Sequence, residues 1–134
     1  MIRIEENKSC LEFKKDNFHN QDIGKFGEEK ACNFLKNQGY WILCTNFTTN
    51  QGEIDIIARD KDEYVFIEVK TRMSKKFGNP VEAVNKEKMK HILRTSKFYI
   101  YVNKLENKCI RYDIVEVYIG ENNLFINHIK NVFF

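Results

Sequence analysis

Proline, glycine, paired cysteines and long apolar runs are all scarce in this chain of 134 residues. One proline and six glycines are too few for a collagen-like or low-complexity protein. The four cysteines (Cys10, Cys32, Cys44 and Cys109) form no C-x-x-C pair, so we expect reduced, mostly buried thiols rather than a structural zinc site. No segment has the length of a membrane span or the pattern of a secretory signal, which predicts a cytoplasmic protein without a membrane partner.

What is present is globular in composition, with 43% hydrophobic and 13% aromatic residues. The length predicts one domain, and we place it at residues 22–134, after an N-terminal extension at residues 1–21. Hydrophobic periodicity and turn residues predict seven elements in the order α-β-β-β-α-β-β. They are a helix at 22–38, strands at 40–46, 52–59 and 63–71, a helix at 81–102, and strands at 109–119 and 124–129. The second helix allows a parallel pairing of the strands on either side of it, within a mixed sheet.

Positive charge is concentrated in one part of the chain, although the net charge is only +3. Residues 70–97 contain nine lysines and arginines and two acids. Such a segment is typical of a polyanion-binding site, and the alternative is an ordinary solvated helix face. His19, His91 and His128 are scattered, so no histidine metal or base site is expected.

The two strands predicted at 52–59 and 63–71 are dominated by Ile, Val and Phe, yet they carry Asp55, Glu68 and Lys70. Charged groups among apolar residues are costly unless they are paired or bind a metal. Glu68 and Lys70 are two residues apart and share a strand face, and Asp55 lies on the neighbouring strand of a predicted hairpin. Two converging carboxylates would bind a hard divalent cation. The alternative is a Glu68–Lys70 ion pair at a sheet edge, with Asp55 as an acid near the turn.

These residues also resemble a known signature. Asp55, followed by Glu68-Val69-Lys70, is similar to the PD-(D/E)XK motif of the restriction-endonuclease-like superfamily, and the predicted element order is similar to its α/β core. Within it, the chain resembles the YraN-like family of uncharacterised bacterial proteins, which are similar to archaeal Holliday-junction resolvases. The matching pieces are Gly24-x-x-Gly27-Glu28-x-x-Ala31, Gly39-Tyr40, Asn46, Gly52-Glu53-Ile54-Asp55-Ile56-Ile57, Phe66-Ile67-Glu68-Val69-Lys70-Thr71-Arg72, Phe77-Gly78, Glu82-Ala83-Val84, Lys88 and Arg111-Tyr112-Asp113.

The resemblance implies roles for five residues. Asp55 and Glu68 would bind Mg²⁺ or Mn²⁺ together with the backbone carbonyl of Val69, and Lys70 would be the catalytic lysine. Glu28 would be an additional acid on the first helix that assists metal or water positioning. The alternative for Glu28 is an acid favoured near a helix start by the helix dipole.

Four basic residues would contact nucleic acid: Arg72, Lys75, Lys76 and Lys88. Their alternative is ordinary surface charge. The function expected from the resemblance is that of a magnesium-dependent endodeoxyribonuclease acting on DNA, including branched or structured DNA. A homodimer would suit a two-fold symmetric junction. Two alternatives stay open, namely a non-catalytic nucleic-acid-binding module that retains the nuclease fold, and a protein-interaction scaffold.

Overall fold

Two helices and six strands make up the part of the chain that the structure, a computed structural model, describes, which is residues 2–4, 20–73 and 86–132. The elements are β1 (Ile2–Ile4), α1 (Asn20–Asn37), β2 (Trp41–Thr49), β3 (Gly52–Asp60), β4 (Glu63–Met73), α2 (Lys86–Val102), β5 (Cys109–Ile119) and β6 (Leu124–Ile129). From α1 onwards the order is the predicted α-β-β-β-α-β-β, and the α/β fold class is confirmed.

The strands form one mixed sheet in the order β1-β6-β5-β4-β3-β2. All neighbours are antiparallel except β4 and β5, which are joined through α2 and run parallel as predicted. The edge strand β1 comes from the segment interpreted as an N-terminal extension, and its Ile2 pairs with Ile126. Strands β3 and β4 therefore lie inside the sheet, with neighbours on both sides.

Some boundaries differ from those predicted. α1 begins at Asn20 rather than Asp22, and it ends where Gly39 adopts a φ of +93°. There the Tyr40 N–H donates to the Leu35 carbonyl at 2.9 Å, the pattern of a Schellman motif. Strand β2 continues to Thr49, beyond the predicted end at 46. The predicted start of α2 at 81 lies outside the described residues.

The two helices cover opposite faces of the sheet. Ala31, Phe34 and Leu35 of α1 pack with β3, β4, β5 and β6 in the larger core, whereas Ile92 of α2 packs with Phe66 in the smaller one.

Of the cysteines, Cys32 and Cys44 are free and half-buried, Cys109 is free and exposed, and Cys10 lies outside the described residues. The prediction of mostly buried thiols was wrong for Cys109, which begins β5 in contact with solvent, whereas Cys32 and Cys44 are partly buried against the two cores.

A buried guanidinium ties three elements together at one end of the sheet. Arg111 near the start of β5 donates to both carboxylate oxygens of Asp113, at 3.0 and 2.9 Å. Its third nitrogen reaches Asp60 at 3.0 Å and Glu63 at 3.1 Å, on either side of the β3–β4 turn. It also donates to the Tyr40 hydroxyl at 2.6 Å. Arg111 and Asp113 of the Arg111-Tyr112-Asp113 segment therefore have a structural role.

Asp113 is 2% exposed and completes the network. It accepts further hydrogen bonds from His128 Nε2 at 2.7 Å and from the Asn131 N–H at 3.0 Å. Burial alone would raise the pKa of this carboxyl, but the hydrogen bonds from His128 and Arg111 hold it below its ordinary value. Its charge is therefore compensated on every side, as a buried ion requires.

Replacing the guanidinium tests this network. Arg111→Met leaves Asp113 buried without its main partner, so we expect the free energy of unfolding at pH 7 to fall by about 3 kcal/mol. The lowered pKa of Asp113 means that its stabilisation is present above the ordinary carboxyl pKa and is lost as the pH falls through the lowered value. The difference in the free energy of unfolding between Arg111→Met and wild type should therefore become smaller at acid pH. Urea denaturation at several pH values measures it.

The exposed Arg59 supplies a matched control. Arg59→Met should change the free energy of unfolding by about 0.5 kcal/mol or less, because this arginine is exposed and its contacts, with the Lys61 carbonyl and the Tyr64 ring, lie at the surface. Equal losses in the two variants would contradict a stabilising role for the buried network.

Candidate active site

The carboxylate and the amine predicted to share one face of β4 do so. Val65 and Ile67 pack into the larger core beneath α1, and Phe66 packs into the smaller core beneath α2. By the alternation of a strand, Glu68 and Lys70 follow Phe66 on the α2 side. The alternative reading was right about the Glu68–Lys70 ion pair, which is 3.6 Å long, but wrong about a sheet edge, because β4 lies between β3 and β5.

Asp55 reaches this place because the pairing of β3 with β4 is interrupted beside it. The paired register runs from Asp60↔Glu63 only as far as Ile56↔Ile67. Beyond that point the Val69 N–H donates to the Asp55 side chain, Oδ2, at 2.8 Å. The side chain thus takes a hydrogen bond that a backbone carbonyl would accept in a regular ladder.

Side-chain alternation along β3 also slips at this point. Ile54 and Ile57 belong to the same core although they are three residues apart, whereas Ile56 lies in the other. This slip is what allows the Asp55 carboxylate to approach Glu68 on β4. The predicted convergence of the two acids is therefore present in the fold.

Glu68 is 6% exposed and has two cationic neighbours. Its Oε1 lies 3.6 Å from Lys70 Nζ and 3.4 Å from Lys88 Nζ. Its Oε2 is buried and receives no hydrogen bond from any residue that the structure describes. A buried carboxylate oxygen without a donor is costly, and a cation ligated at that oxygen would remove the cost.

Crowded negative charge changes the acidity of two carboxyls. Burial and the charge of Glu68 raise the pKa of Asp55 to about 7, against the opposing hydrogen bond from Val69. Burial and the charge of Asp55 raise the pKa of Glu28 to about 6. Both shifts indicate a place that is short of positive charge, which is the electrostatic property of a cation site.

The first helix brings Glu28 to the sheet through a close approach at Gly27. A Cβ at Gly27 would overlap the Thr71 hydroxyl of β4 and lie 2.8 Å from the Thr71 Cβ. Only glycine permits α1 to lie so near β4 at that turn. Glu28 follows directly, so the glycine of the sequence motif positions the acid of the same motif.

Asn46 was not among the predicted site residues, yet it links two acids. It adopts a left-handed φ of +53° within β2. In the amide orientation that satisfies its hydrogen bonds, it donates to Glu28 Oε2 and to Glu53 Oε1 at 3.0 Å each. The signal in the sequence was a lone asparagine, a residue that tolerates left-handed backbone, inside a strand of bulky residues.

The oxygen atoms available here fit a magnesium site in which the protein supplies few of the ligands. Among the residues that the structure describes, no three acidic, histidine or cysteine side chains gather around one point. Asp55 and Glu68 would therefore need the Val69 carbonyl and water to complete the shell. Mg²⁺ sites commonly have this composition, with one or two carboxylates and several waters. The metal ligands stay a prediction.

The four residues predicted to contact nucleic acid fall in different places. We call Glu28, Asp55 and Glu68 the acid cluster. The Lys88 ammonium lies 3.4 Å from Glu68 Oε1, so Lys88 contacts this cluster from α2. Arg72 is half-buried on β4, two residues after Lys70. Lys75 and Lys76 lie outside the described residues.

A further basic surface runs along α2. Four exposed lysine and arginine positions are spaced four, four and three residues apart, which places them on one side of the helix. They are Lys86, Lys90, Arg94 and Lys97. We call this surface the basic stripe.

Comparison with known proteins agrees with the resemblance inferred from the motifs. The model of the uncharacterised protein family UPF0102 matches residues 27–117, which include Glu28, Asp55, Glu68 and Lys70. The chain belongs to this family. The YraN-like assignment is thereby confirmed, and the observed sheet order is consistent with the superfamily.

Relatives in the UPF0102 family align along almost their whole length. The protein of Caldicellulosiruptor saccharolyticus is 47% identical over 115 residues, which cover 84% of this chain and 98% of the relative. That of Clostridioides difficile is 46% identical, covering 86% and 99%. That of Alkaliphilus oremlandii is 47% identical, covering 85% and 99%.

Of the helices that the structure describes, none is long and apolar enough to cross a membrane.

Two glycines of α1 test the close approach. Gly27→Ala should lower the free energy of unfolding by about 1–3 kcal/mol, because the added methyl overlaps Thr71 and pushes the helix away. Gly24→Ala meets nothing within 4 Å, so it should be neutral or stabilising by up to about 1 kcal/mol. Urea denaturation measures both, and equal behaviour of the two variants would contradict the proposed packing.

Removing one buried negative charge should stabilise the metal-free protein. The raised pKa of Asp55 favours the folded state at low pH, and this advantage is lost as the pH rises through about 7. Asp55→Asn keeps an acceptor for Val69, so with EDTA at pH 8 we expect it to exceed wild type in stability by about 1–3 kcal/mol.

The gain from Asp55→Asn should be smaller at pH 5, where wild-type Asp55 is largely protonated in the folded state. Asp62→Asn, an exposed position in the β3–β4 turn, should leave stability unchanged at both pH values. A loss of stability in Asp55→Asn at pH 8 would show that the charge of Asp55 is already compensated.

Proposed function

We propose that this protein is a magnesium-dependent endonuclease that hydrolyses phosphodiester bonds in DNA. The observation that carries the proposal is the convergence of Asp55 and Glu68 beside Lys70 on two interior strands. Within residues 2–4, 20–73 and 86–132, no group donates a hydrogen bond to the buried Glu68 Oε2. An interior acid whose pKa is raised by burial and by a neighbouring carboxylate destabilises the fold when it is ionised, so the presence of Asp55 beside Glu68 favours a role in binding a cation.

A divalent cation held by Asp55, Glu68 and the Val69 carbonyl would supply positive charge to a phosphate oxygen and acidify a water. The remaining chemistry belongs to the side chains. Lys70 is 31% exposed, so its ammonium contacts both Glu68 and solvent. From there it can orient a water and stabilise the charge that develops on the phosphate.

Glu28 serves the attacking water in this proposal. Its pKa of about 6 leaves it ionised at pH 8 while keeping it a competent proton acceptor near neutrality. The hydrogen bond from Asn46 fixes its carboxylate, and Glu53 shares the same amide. Asn46 therefore acts as a positioning residue for Glu28.

The basic stripe supports nucleic acid as the substrate. Its ends, Lys86 and Lys97, are eleven residues apart, which corresponds to about 16 Å along a helix. Lys88, two residues after Lys86, reaches Glu68 from the opposite side of the same helix, so the stripe lies on the side of α2 that faces away from Glu68. A row of cations of this length matches several consecutive phosphates of a DNA strand.

Cleavage of a labelled four-way junction and of a linear duplex tests the proposal. With Mg²⁺ or Mn²⁺ the wild type should cut, and with EDTA it should not. Asp55→Asn and Lys70→Ala should each reduce the rate by at least about 10²-fold, because each removes charge that acts on the transition state. The exposed Lys108→Ala and Glu106→Ala should cut at the wild-type rate.

The same assay separates the alternatives. Metal-dependent cleavage lost in Asp55→Asn supports the nuclease, provided that circular dichroism shows the variant folded. A wild type that binds DNA in a salt-dependent way but never cuts would indicate the non-catalytic module. An interaction scaffold would neither cut nor show salt-dependent binding.

A further inference from the structure

An open polar groove lies beside the acid cluster. It has a volume of about 430 Å³ and is lined by residues 48–53 of the β2–β3 turn together with Lys88 and His91 of α2. Every lining position except Gly52 carries a charged or hydrogen-bonding side chain. Sites for small organic ligands are lined mainly by apolar and aromatic side chains, so this groove suits a ligand of another kind.

The groove has a fixed wall, because the turn is attached to α2. His91 Nδ1 lies 2.6 Å from the Gln51 carbonyl oxygen, which can only accept, so the proton sits on Nδ1. Gly52 has a φ of +148°, and a Cβ there would lie 3.1 Å from the His91 Cβ and 3.3 Å from Thr95 Oγ1. The glycine and the histidine together hold the turn against the helix.

Two residues link the groove to the acid cluster. Lys88 lines the groove and lies 3.4 Å from Glu68 Oε1. Glu53 lines it as well and accepts from Asn46, which also holds Glu28. A polymer with one phosphate at Glu68 would therefore place an adjoining unit in this groove.

The lining matches the sugar and phosphate of that unit. Phosphate and sugar oxygens are contacted in complexes by lysine and by Thr, Asn and Gln side chains. Thr48, Thr49, Asn50 and Gln51 supply this set, with Lys88 as the cation. Among the described residues that line the groove there is no aromatic ring on which a base could stack, which favours the backbone over the base as the part that is held.

We infer that the groove between the β2–β3 turn and α2 is a subsite for the backbone of the nucleotide next to the scissile phosphate. Only the position of the scissile phosphate rests on the proposed function. His91 is a positioning residue that keeps the turn in place. The histidine set aside in the sequence as isolated thereby has a role in the fold of the site.

A double substitution that adds negative charge with little change in side-chain shape tests the subsite. Asn50→Asp combined with Gln51→Glu adds two negative charges to the exposed turn, and the new carboxylates would repel a phosphate. Binding of a labelled DNA duplex, measured by fluorescence anisotropy in Ca²⁺ and in EDTA, should weaken by roughly tenfold. The control Asn107→Asp combined with Gln38→Glu makes the same charge change at exposed positions outside the groove and should weaken binding at most twofold.

A second variant examines the wall. His91→Ala removes the attachment of the turn, so it should weaken binding while the circular dichroism spectrum stays that of wild type. Equal affinities of the groove variant and its control would overturn the subsite, whether or not the protein cuts DNA. A protein that never cuts but loses affinity only in the groove variants would keep the subsite and refute the nuclease.

Discussion

The hydrogen bond from the Val69 N–H to the Asp55 carboxylate, 2.8 Å long, is the interaction on which the site depends. A regular antiparallel ladder would give that N–H to a backbone carbonyl of β3. Because a side chain accepts it, the two strands stop pairing beyond Ile56 and Ile67, and a carboxylate enters the sheet next to Glu68. The glycine contact of α1 and the left-handed Asn46 both serve this arrangement, since they bring Glu28 to the same place.

The buried charges around Arg111 and those around Glu68 have opposite electrostatic properties. Around Arg111, every carboxylate has a donor, and the pKa of Asp113 is lowered. Around Glu68, one carboxylate oxygen has no donor in the described part of the chain, and the pKa of Asp55 is raised. The first arrangement stabilises the fold, whereas the second leaves an excess of negative charge that a bound cation would compensate. A buried charged group whose hydrogen bonds are left incomplete is typical of a functional site.

Local periodicity was enough to predict that Glu68 and Lys70 share a strand face next to the strand of Asp55. Strand alternation placed Glu68 with Lys70, and a short turn placed Asp55 on the adjacent strand. What alternation could not reveal depends on contacts between distant elements, such as Lys88 on Glu68 or Asn46 between two acids. The three residues of β1 show no period of their own, because their strand exists through pairing with β6. His91 looked isolated in the sequence because its partner, the Gln51 carbonyl, is forty positions away.

The central claim is that Asp55, Glu68 and the Val69 carbonyl form a site for a divalent cation. Anomalous diffraction from crystals grown with MnCl₂ tests it most directly. The account predicts an anomalous peak within bonding distance of both carboxylates, with Glu68 Oε2 as a ligand. Manganese peaks found only elsewhere, with Lys70 and Lys88 still beside Glu68 and no density between the two acids, would contradict it.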